Sequence, residues 1–483
     1  QDGGKSAMGR TLGLAQPPIL SFPRKGGRDH RSQSSDGWSA RISIVLAIAI
    51  ALVASGCSTY TDRLAQASSA ASAGDYTAAV NDVNAVMGVS NSDELPNQWS
   101  GDRPLAVLER GSLQQALAEY GSSQRDLSGV EPQLELLDMK TDPVAALGSY
   151  LYSDSVKTYR TPPTERLALN PVNLLNYLAA GDLDGAAVEA RRFQVMREYL
   201  TSLDITADGP ATLGAYLAGF VFERRGEGDR ALRYYEEALA AGPVPSLDAP
   251  ISRLARIYPY RGPHLSAVLA QQPSAKGQKV DAIPPAELLI VLSVGRVPHK
   301  VPERIPVGAA VGIAGALLSN NIDWLKYGAG KVVVYPQLVA TPSGLGPAAV
   351  TVDGQGVAVE ALTDLGASIR QEYEDAKPKI IAAALVRMAA RAAVAEGVRA
   401  GGKQQSSALG DVLSILVETT MVALDRPDTR SWTMLPDHVL VARLPVAPGT
   451  HTVEVSFGGS GSHSIPVDVP AAGFAAVVVT EPR

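Results

Sequence analysis

Cys57 is the only cysteine among 483 residues. Neither disulfides nor a thiolate-bound metal can staple such a chain, so a protein of this length must rely on a hydrophobic core. Hydrophobic residues make up 46% of the chain but aromatics only 5%. Small apolar side chains, alanine above all, favour closely packed helices over an aromatic-rich barrel. The charge balance excludes one class of partner. Beyond Gly56 there are 36 Lys and Arg against 46 Asp and Glu, a net charge near −10. A nucleic-acid binder normally shows a basic face, and electrostatic attachment to anionic lipid needs the same sign.

Cys57 also closes an apolar segment. Arg41 precedes the 12-residue run ISIVLAIAIALV, and Ala54, Ser55 and Gly56 follow it. A positive start, a short apolar stretch and small residues suit a signal peptidase. The segment resembles the lipobox of bacterial lipoprotein signal peptides, with Ala54 standing where that pattern prefers Leu, Val or Ile. The resemblance implies that the Cys57 sulfur takes a diacylglyceryl group, that the chain is cut before it, and that the new amine is acylated with a palmitate-type chain. Each buried CH₂ adds about 0.8 kcal/mol, so two or three chains anchor stably. Plain secretion and an uncleaved anchor remain the alternatives, although a spanning helix needs about 20 apolar residues. Ser58 stands where Asp would retain a lipoprotein in the inner membrane of enteric bacteria. By resemblance, Ser there points to the outer membrane, facing the periplasm.

After the cysteine the pattern is helical. Residues 215–243, AYLAGFVFERRGEGDRALRYYEEALAAGP, resemble a tetratricopeptide repeat, with Gly219, Phe222, Gly226, Ala231, Tyr235, Ala238 and Pro243 at the spacing of that 34-residue pattern. Gly219 and Ala231 let two helices approach, Phe222 and Tyr235 fill the space between them, and Pro243 closes the second helix. Ala215 stands at the usual tryptophan position. Weaker copies carry Tyr177, Gly181 and Ala186; Gly111, Tyr120 and Leu127; and Gly74, Asp75, Tyr76 and Ala79. Each reads as a helix, a short glycine-containing turn and a second helix. Stacked helix pairs share a core and leave a concave surface that takes peptides or proteins. Within that groove Tyr177, Phe222 and Tyr235 are expected as framework, and Arg192, Arg224 and Arg225 as partner contacts. A purely structural helical domain is the alternative.

The period changes near residue 286. ELLIVLSV, residues 287–294, is an unbroken apolar run that reads as a buried strand. Further strands are expected at 331–339 and at 349–359 with a turn at Asp353-Gly354, then at 438–443, 449–457, 464–469 and 474–480. Between them a helix is expected over 362–398, broken or kinked at Pro378, and another over 409–422. The segment VGAAVGIAGALLS reads as a buried helix packed on the sheet, with membrane contact as the alternative. Residues 444–455 resemble the turn and strand of small extracytoplasmic β-sandwich modules, including those named for a Pro-Glu-Gly-Ala motif. The predicted organisation is multidomain α + β: a disordered or over-extended leader at 1–40, a lipoprotein signal peptide at 41–56, a TPR-like helical array at 57–270, a linker at 271–285, and a mixed, β-sandwich-like domain at 286–483. Lipobox, helical repeats and the segment from Asp428 to Trp432 together resemble a family of uncharacterised bacterial TPR-containing lipoproteins.

Catalytic patterns are missing from the sequence. The histidines (His30, His264, His299, His438, His451, His463) form no metal-binding pair, and there is no nucleophile elbow or phosphate loop. Glu360, Asp364, Glu372, Glu374 and Asp375 are read as acids favoured at the start of a helical run by its dipole. Asp425, Arg426, Asp428 and Arg430 are read as a salt-bridged loop, with partner docking as the alternative. An envelope hydrolase would need a buried carboxylate cluster in a cleft, which the sequence does not display. The expectation is therefore a non-enzymatic adaptor or scaffold for envelope proteins, with no cofactor, metal, nucleic acid or small-molecule substrate. The alternative is a structural component of an envelope machine for secretion, flagellar, surface-polymer or cell-wall assembly.

Overall fold

Eight helices of the N-terminal half come in four pairs, and each pair turns on the same three-residue connector. The pairs are α1 (Tyr60–Ser72) and α2 (Tyr76–Met87), α3 (Arg103–Ala116) and α4 (Tyr120–Val130), α5 (Pro163–Ala179) and α6 (Leu183–Ser202), and α7 (Asp208–Arg224) and α8 (Gly228–Ala238). The computed structural model describes residues 59–136, 159–271, 286–314, 317, 332–402, 427–459 and 461–483. Cys57, the segment before it, nearly all of the expected linker and the expected helix at 409–422 lie outside the described residues.

The connectors are Ala73-Gly74-Asp75, Leu117-Ala118-Glu119, Ala180-Gly181-Asp182 and Arg225-Gly226-Glu227. Their middle residues are left-handed, with φ of 79°, 56°, 71° and 76°. In each, the acidic residue's amide donates to the carbonyl five residues back, on Ala70, Gln114, Tyr177 and Phe222, at 2.8–2.9 Å. That bond satisfies one of the carbonyls a helix end leaves orphaned. Asp75 and Asp182 then accept from the amides of Ala78 and Gly185, both at 2.9 Å, capping the next helix. In the second pair the glycine-containing turn expected from the sequence is absent. Ala118 takes the left-handed position, and Gly111 lies inside α3.

Side-chain sizes follow the same register. Four residues past each acid stands a small, fully buried residue: Ala79, Ser123, Ala186 and Ala231. A side chain on Gly111 or Gly219 would strike Leu127 or Tyr235 on the facing helix. In the third pair the equivalent positions hold Leu174 and Ala190, with the bulk on the other helix. Two short helices, α9 (Asp248–Leu254) and α10 (Pro263–Gln271), follow the pairs.

The rest of the chain builds β1 (Glu287–Val294), β2 (His299–Pro306), α11 (Val307–Ala314), β3 (Val332–Val339), β4 (Ala348–Val352), β5 (Gln355–Val357), β6 (Glu360–Asp364), α12 (Leu365–Gly402), β7 (His438–Pro445), β8 (Gly449–Phe457), β9 (Ser462–Val469) and β10 (Phe474–Glu481). Among the described residues this gives a mixed α/β protein with twelve helices. One sheet has the order β10-β1-β7-β6 and a second β9-β8-β4-β5, while β2 and β3 form an antiparallel pair. β10 is parallel to β1, and β7 is antiparallel to it. Asp353 (φ 52°) and Gly354 (φ 77°) make the tight turn between β4 and β5. α12 continues through Pro378 without the break expected there.

The apolar run of β1 now has a reason. Leu289 and Val291, with Val439, Val441 and Val478, face the helices. Leu288, Ile290 and Leu292, with Val477 and Val479, face Val453, Val455 and Phe457 of the second sheet. A strand covered on both sides has no polar face to alternate with. Helices, first sheet and second sheet thus form three layers, all within the compact unit formed by residues 57–483. α11, the β2–β3 pair and α12 enclose a separate small core. Of the VGAAVGIAGALLS segment, Val307, Ala310 and Ala314 are buried, while Ile313 is 43% exposed.

Charges bridge the first two layers. Arg443 of β7 donates to Glu287 of β1 at 2.6 and 3.0 Å, to Glu223 of α7 at 2.8 Å and to the Tyr235 hydroxyl of α8 at 2.9 Å. Tyr235 donates to Glu223 at 2.5 Å. Arg253 also pairs with Glu223, and Arg224 with Glu287. The side chains of Arg443 and Glu223 are 1% and 0% exposed.

Four outcomes are expected from urea unfolding. A left-handed alanine costs about 1–2 kcal/mol, partly offset by the extra unfolded-chain freedom of glycine. Ala118→Gly should therefore stabilise by about 0.5–1 kcal/mol, and Gly181→Ala should destabilise by a similar amount; a loss of stability in Ala118→Gly refutes the connector account. Arg443→Ala leaves buried carboxylates short of a partner and should cost about 3–5 kcal/mol. Glu374→Ala, which breaks the solvent-facing pair with Lys377, should change stability by less than about 0.5 kcal/mol.

Candidate functional site

All the expected framework residues except Tyr177 meet where α7 and α8 pack. Ala231, Tyr235 and Ala238 are fully buried, as is Phe222. The Phe222 ring stacks on Tyr234 at 5.4 Å, with the Arg230 guanidinium 3.9 Å from its centre. Gly219 abuts the Tyr235 ring, and Tyr177, half-buried, packs over Gly185.

The three arginines expected as contacts have different surroundings. Arg192 is 47% exposed and bridges Glu131 and Glu189, each at 3.0 Å. Arg225 is partly exposed, beside Asp184 and Glu227. Arg224 corrects the expectation: its side chain is 2% exposed and turned inward onto Glu287. Burial, with Arg443 beside it, lowers the Arg224 guanidinium to about 10. Next to Arg192, the outer face of α6 carries Val188, Val195 and Tyr199, which are 41%, 67% and 50% exposed. Positions 188, 192, 195 and 199 fall on one helical stripe, with exposed Arg191 beside it.

Sequence reasoning missed a second place. Glu165, in the first turn of α5, is 2% exposed and accepts from the Tyr159 hydroxyl. Glu372 of α12 accepts from the Thr164 amide at 2.8 Å, tying α12 to the start of α5. Lys300 of β2 donates to the Arg430 carbonyl at 3.1 Å. Glu165, Glu372 and Lys300, with Ser431 and Tyr373, line a cavity of about 60 Å³. Glu372 also lines a neighbouring cleft of about 270 Å³, with Asp204, Asp208, Asp375 and Lys379. Burial pushes Glu165 up to about 7, against the pull of Lys300 and Tyr159. It raises Glu372 too, against Thr164 and Lys300. A carboxyl poised near neutrality can exchange a proton there. The dipole account of the acidic cluster does not extend to Glu372, Glu374 or Asp375, because α12 begins at Leu365, about two turns or more earlier, nor to Glu360, which lies in β6.

Behind the cavity, Glu109 of α3 anchors the chain segment that supplies Ser431. It accepts from the Thr433 amide and hydroxyl at 2.8 and 2.9 Å and from the Met434 amide at 2.7 Å. The Trp432 indole donates to Ser112 at 3.0 Å. Burial pushes Glu109 up to about 8, with the Thr433 and Met434 donors working against it. Asp428 pairs with Arg430 at 2.8 Å, whereas Asp425 and Arg426 lie outside the described residues. The polar lining of the cavity comes from α5, β2, α12 and this segment, which no local spacing links.

A third cluster has ligand-like geometry. Asp364, Asp437 and His438 bring donor atoms within 4.8 Å of one another. Each has other work: Asp364 caps α12 through the Ala367 amide at 2.6 Å, and His438 pairs with Asp437 at 2.8 Å. His451 is paired with Asp353 at 2.7 Å and His463 with Glu481 at 2.6 Å. No family model, curated protein or solved structure matches the chain.

The two buried glutamates set a pH dependence. Their unfolded value lies near 4.5 and their folded values near 8 and 7. The folded chain thus keeps protons that the unfolded chain has released. Their contribution is complete below about pH 4 and is lost as pH rises through 7 and 8, by at most about 1.4 kcal/mol per pH unit for each group. Urea midpoints should fall between pH 5 and 8, and Glu165→Gln should make the fall shallower. Parallel profiles for the two proteins would contradict the assignment of Glu165.

Proposed function

We propose that this chain is a non-enzymatic adaptor of the bacterial envelope, held at a membrane by lipid on Cys57. In this reading its tetratricopeptide-like hairpins bind another envelope protein. The observation that carries it is the α6 stripe, where Val188, Val195 and Tyr199 are exposed on one helix face beside two arginines. Tyrosine, arginine and aliphatic groups exposed together suit a partner segment that presents apolar side chains with acidic neighbours. The four like connectors support the tetratricopeptide reading, and with it the resemblance to TPR-containing lipoproteins. The lipobox resemblance supports the anchor, and Ser58 supports the periplasmic face of the outer membrane. Tethering makes modest affinity sufficient, because confinement raises the effective concentration of the partner. Among the described residues, no helix is long and apolar enough to cross a membrane.

A fixed place in an envelope machine is the second reading. It is favoured by exposed Ile313 and Val332, which are 43% and 44% exposed at the small core of α11 and the β2–β3 pair.

A photo-crosslinking residue at Val195, in cells of the host, tests the adaptor. A discrete adduct is expected that is absent when the crosslinker replaces Asp229 on α8. Tyr199→Ala should reduce the adduct about tenfold, as truncation of a central contact does, and Cys57→Ala should release the protein from membranes and abolish it. Equal adducts from positions 195 and 229 would refute the stripe as the binding surface. Adducts only from Val332 would favour the fixed component.

A further inference from the structure

Ser431 has a buried hydroxyl with nothing to bond. The residue is 3% exposed, its Oγ has no hydrogen-bond partner, and it lines the inner cavity beside Glu165, Lys300 and Glu372. Buried polar atoms are nearly always satisfied, so an unpaired one in a cavity wall calls for a guest. The remaining wall is apolar, with Leu338, Ile369, Ala376 and Ile380. At about 60 Å³ the cavity has room for a few waters or for a short apolar stem with one polar head.

Charge selects the head. Cavity and outer cleft together are lined by five carboxylates, on Glu165, Asp204, Asp208, Glu372 and Asp375, against the ammonium groups of Lys300 and Lys379. An anion would face that excess. A neutral apolar guest would leave Ser431 unpaired.

We propose that this cavity, entered from the cleft beside Asp208, binds a primary alkylammonium group of the kind that ends a lysine side chain. An ammonium offers three donors and no acceptor. Glu165, Glu372 and Ser431 all line the cavity and supply acceptors. The methylene stem lies along Ile369 and Ile380, as lysine stems lie along apolar surface elsewhere. Lys300, held on the Arg430 carbonyl at 3.1 Å, offsets one of the two inner acids and leaves the site matched to a single positive charge. This site departs from the sequence expectation of no small-molecule substrate, and it is separate from the α6 stripe.

Isothermal titration of the full-length protein in detergent with pentylammonium tests this, with pentanol and pentanoate as controls of equal length. Saturable binding of pentylammonium alone is expected. Ser431→Ala should weaken it about tenfold, the effect of one hydrogen bond to a charged group. Asp208→Asn, at an exposed position on the rim, should weaken it less while the fold is kept, so the proposal stays testable if Ser431→Ala does not fold. A Gly-Lys-Gly peptide that binds more tightly than pentylammonium assigns a peptide side chain as the source, and the reverse order assigns a free amine. The proposal is overturned if the folded protein takes up no pentylammonium, if pentanoate binds equally well, or if Asp208→Asn and a folded Ser431→Ala both retain full affinity.

Discussion

Burial of β1 on both faces is the constraint on which the other layers depend. A strand with no solvent side needs a complete layer above it and another below. Here the helical hairpins provide one and the β4–β8 sheet the other. Glu287 opens β1 on the helix side, where an isolated carboxylate would be prohibitively costly. Arg443, from the next strand, answers it and reaches Glu223 of α7 with the same guanidinium. Burial opposes the Arg443 charge, but Glu223 and its neighbours outweigh that and hold it above its ordinary value. Burial likewise pushes the Glu223 carboxyl up, and Arg443 with Arg253 holds it below the usual range. Sheet and helices are thus joined by groups that cannot be separated without stranding charge. Such a network adds little net stability over an apolar contact, but it penalises any other docking.

A polar seam continues the same interface toward the chain end. The Thr480 hydroxyl of β10 donates to Gln115 of α3 at 3.0 Å, and Gln115 donates to Asn176 of α5 at 2.9 Å. The Tyr120 hydroxyl donates to the Val478 carbonyl at 2.7 Å. The last strand therefore closes on helices that precede it by hundreds of residues, and β10 can lie parallel to β1 only because so much chain intervenes.

Much of this was legible locally, and the limits are physical. The hairpins show in sequence because a left-handed turn residue followed by an acidic cap leaves a mark, Gly-Asp or Gly-Glu, in three of four connectors. The remaining pair was expected too, but with a glycine in its turn; Ala118 takes that place, since tertiary packing tolerates strain that propensity does not foresee. The strand at 287–294 was readable from its unbroken apolar run, although the run alone does not say what covers it. Arg224 and Arg225 are neighbours in sequence, and helical spacing did not reveal that one is buried on Glu287 while the other sits partly exposed beside Asp184 and Glu227. The cavity was illegible. Glu165 looks like an ordinary first-turn acid, Lys300 and Ser431 carry no motif, and only the docking of four segments makes them neighbours.

Glu109 explains how that docking is enforced. The segment from Thr429 to Leu435 has no regular structure of its own, yet most of it is buried. Its amides would be orphaned there without acceptors. Glu109 takes those of Thr433 and Met434, and Ser112, one helical turn along α3, takes the Trp432 indole. Two residues at i and i+3 on a single helix thereby fix the segment that carries Ser431. The wall of the cavity is consequently set by the second hairpin, so the position of Ser431 depends on the α3–α4 packing around Gly111 and Leu127. A substitution at Gly111 would reach the cavity through α3 without touching any residue that lines it.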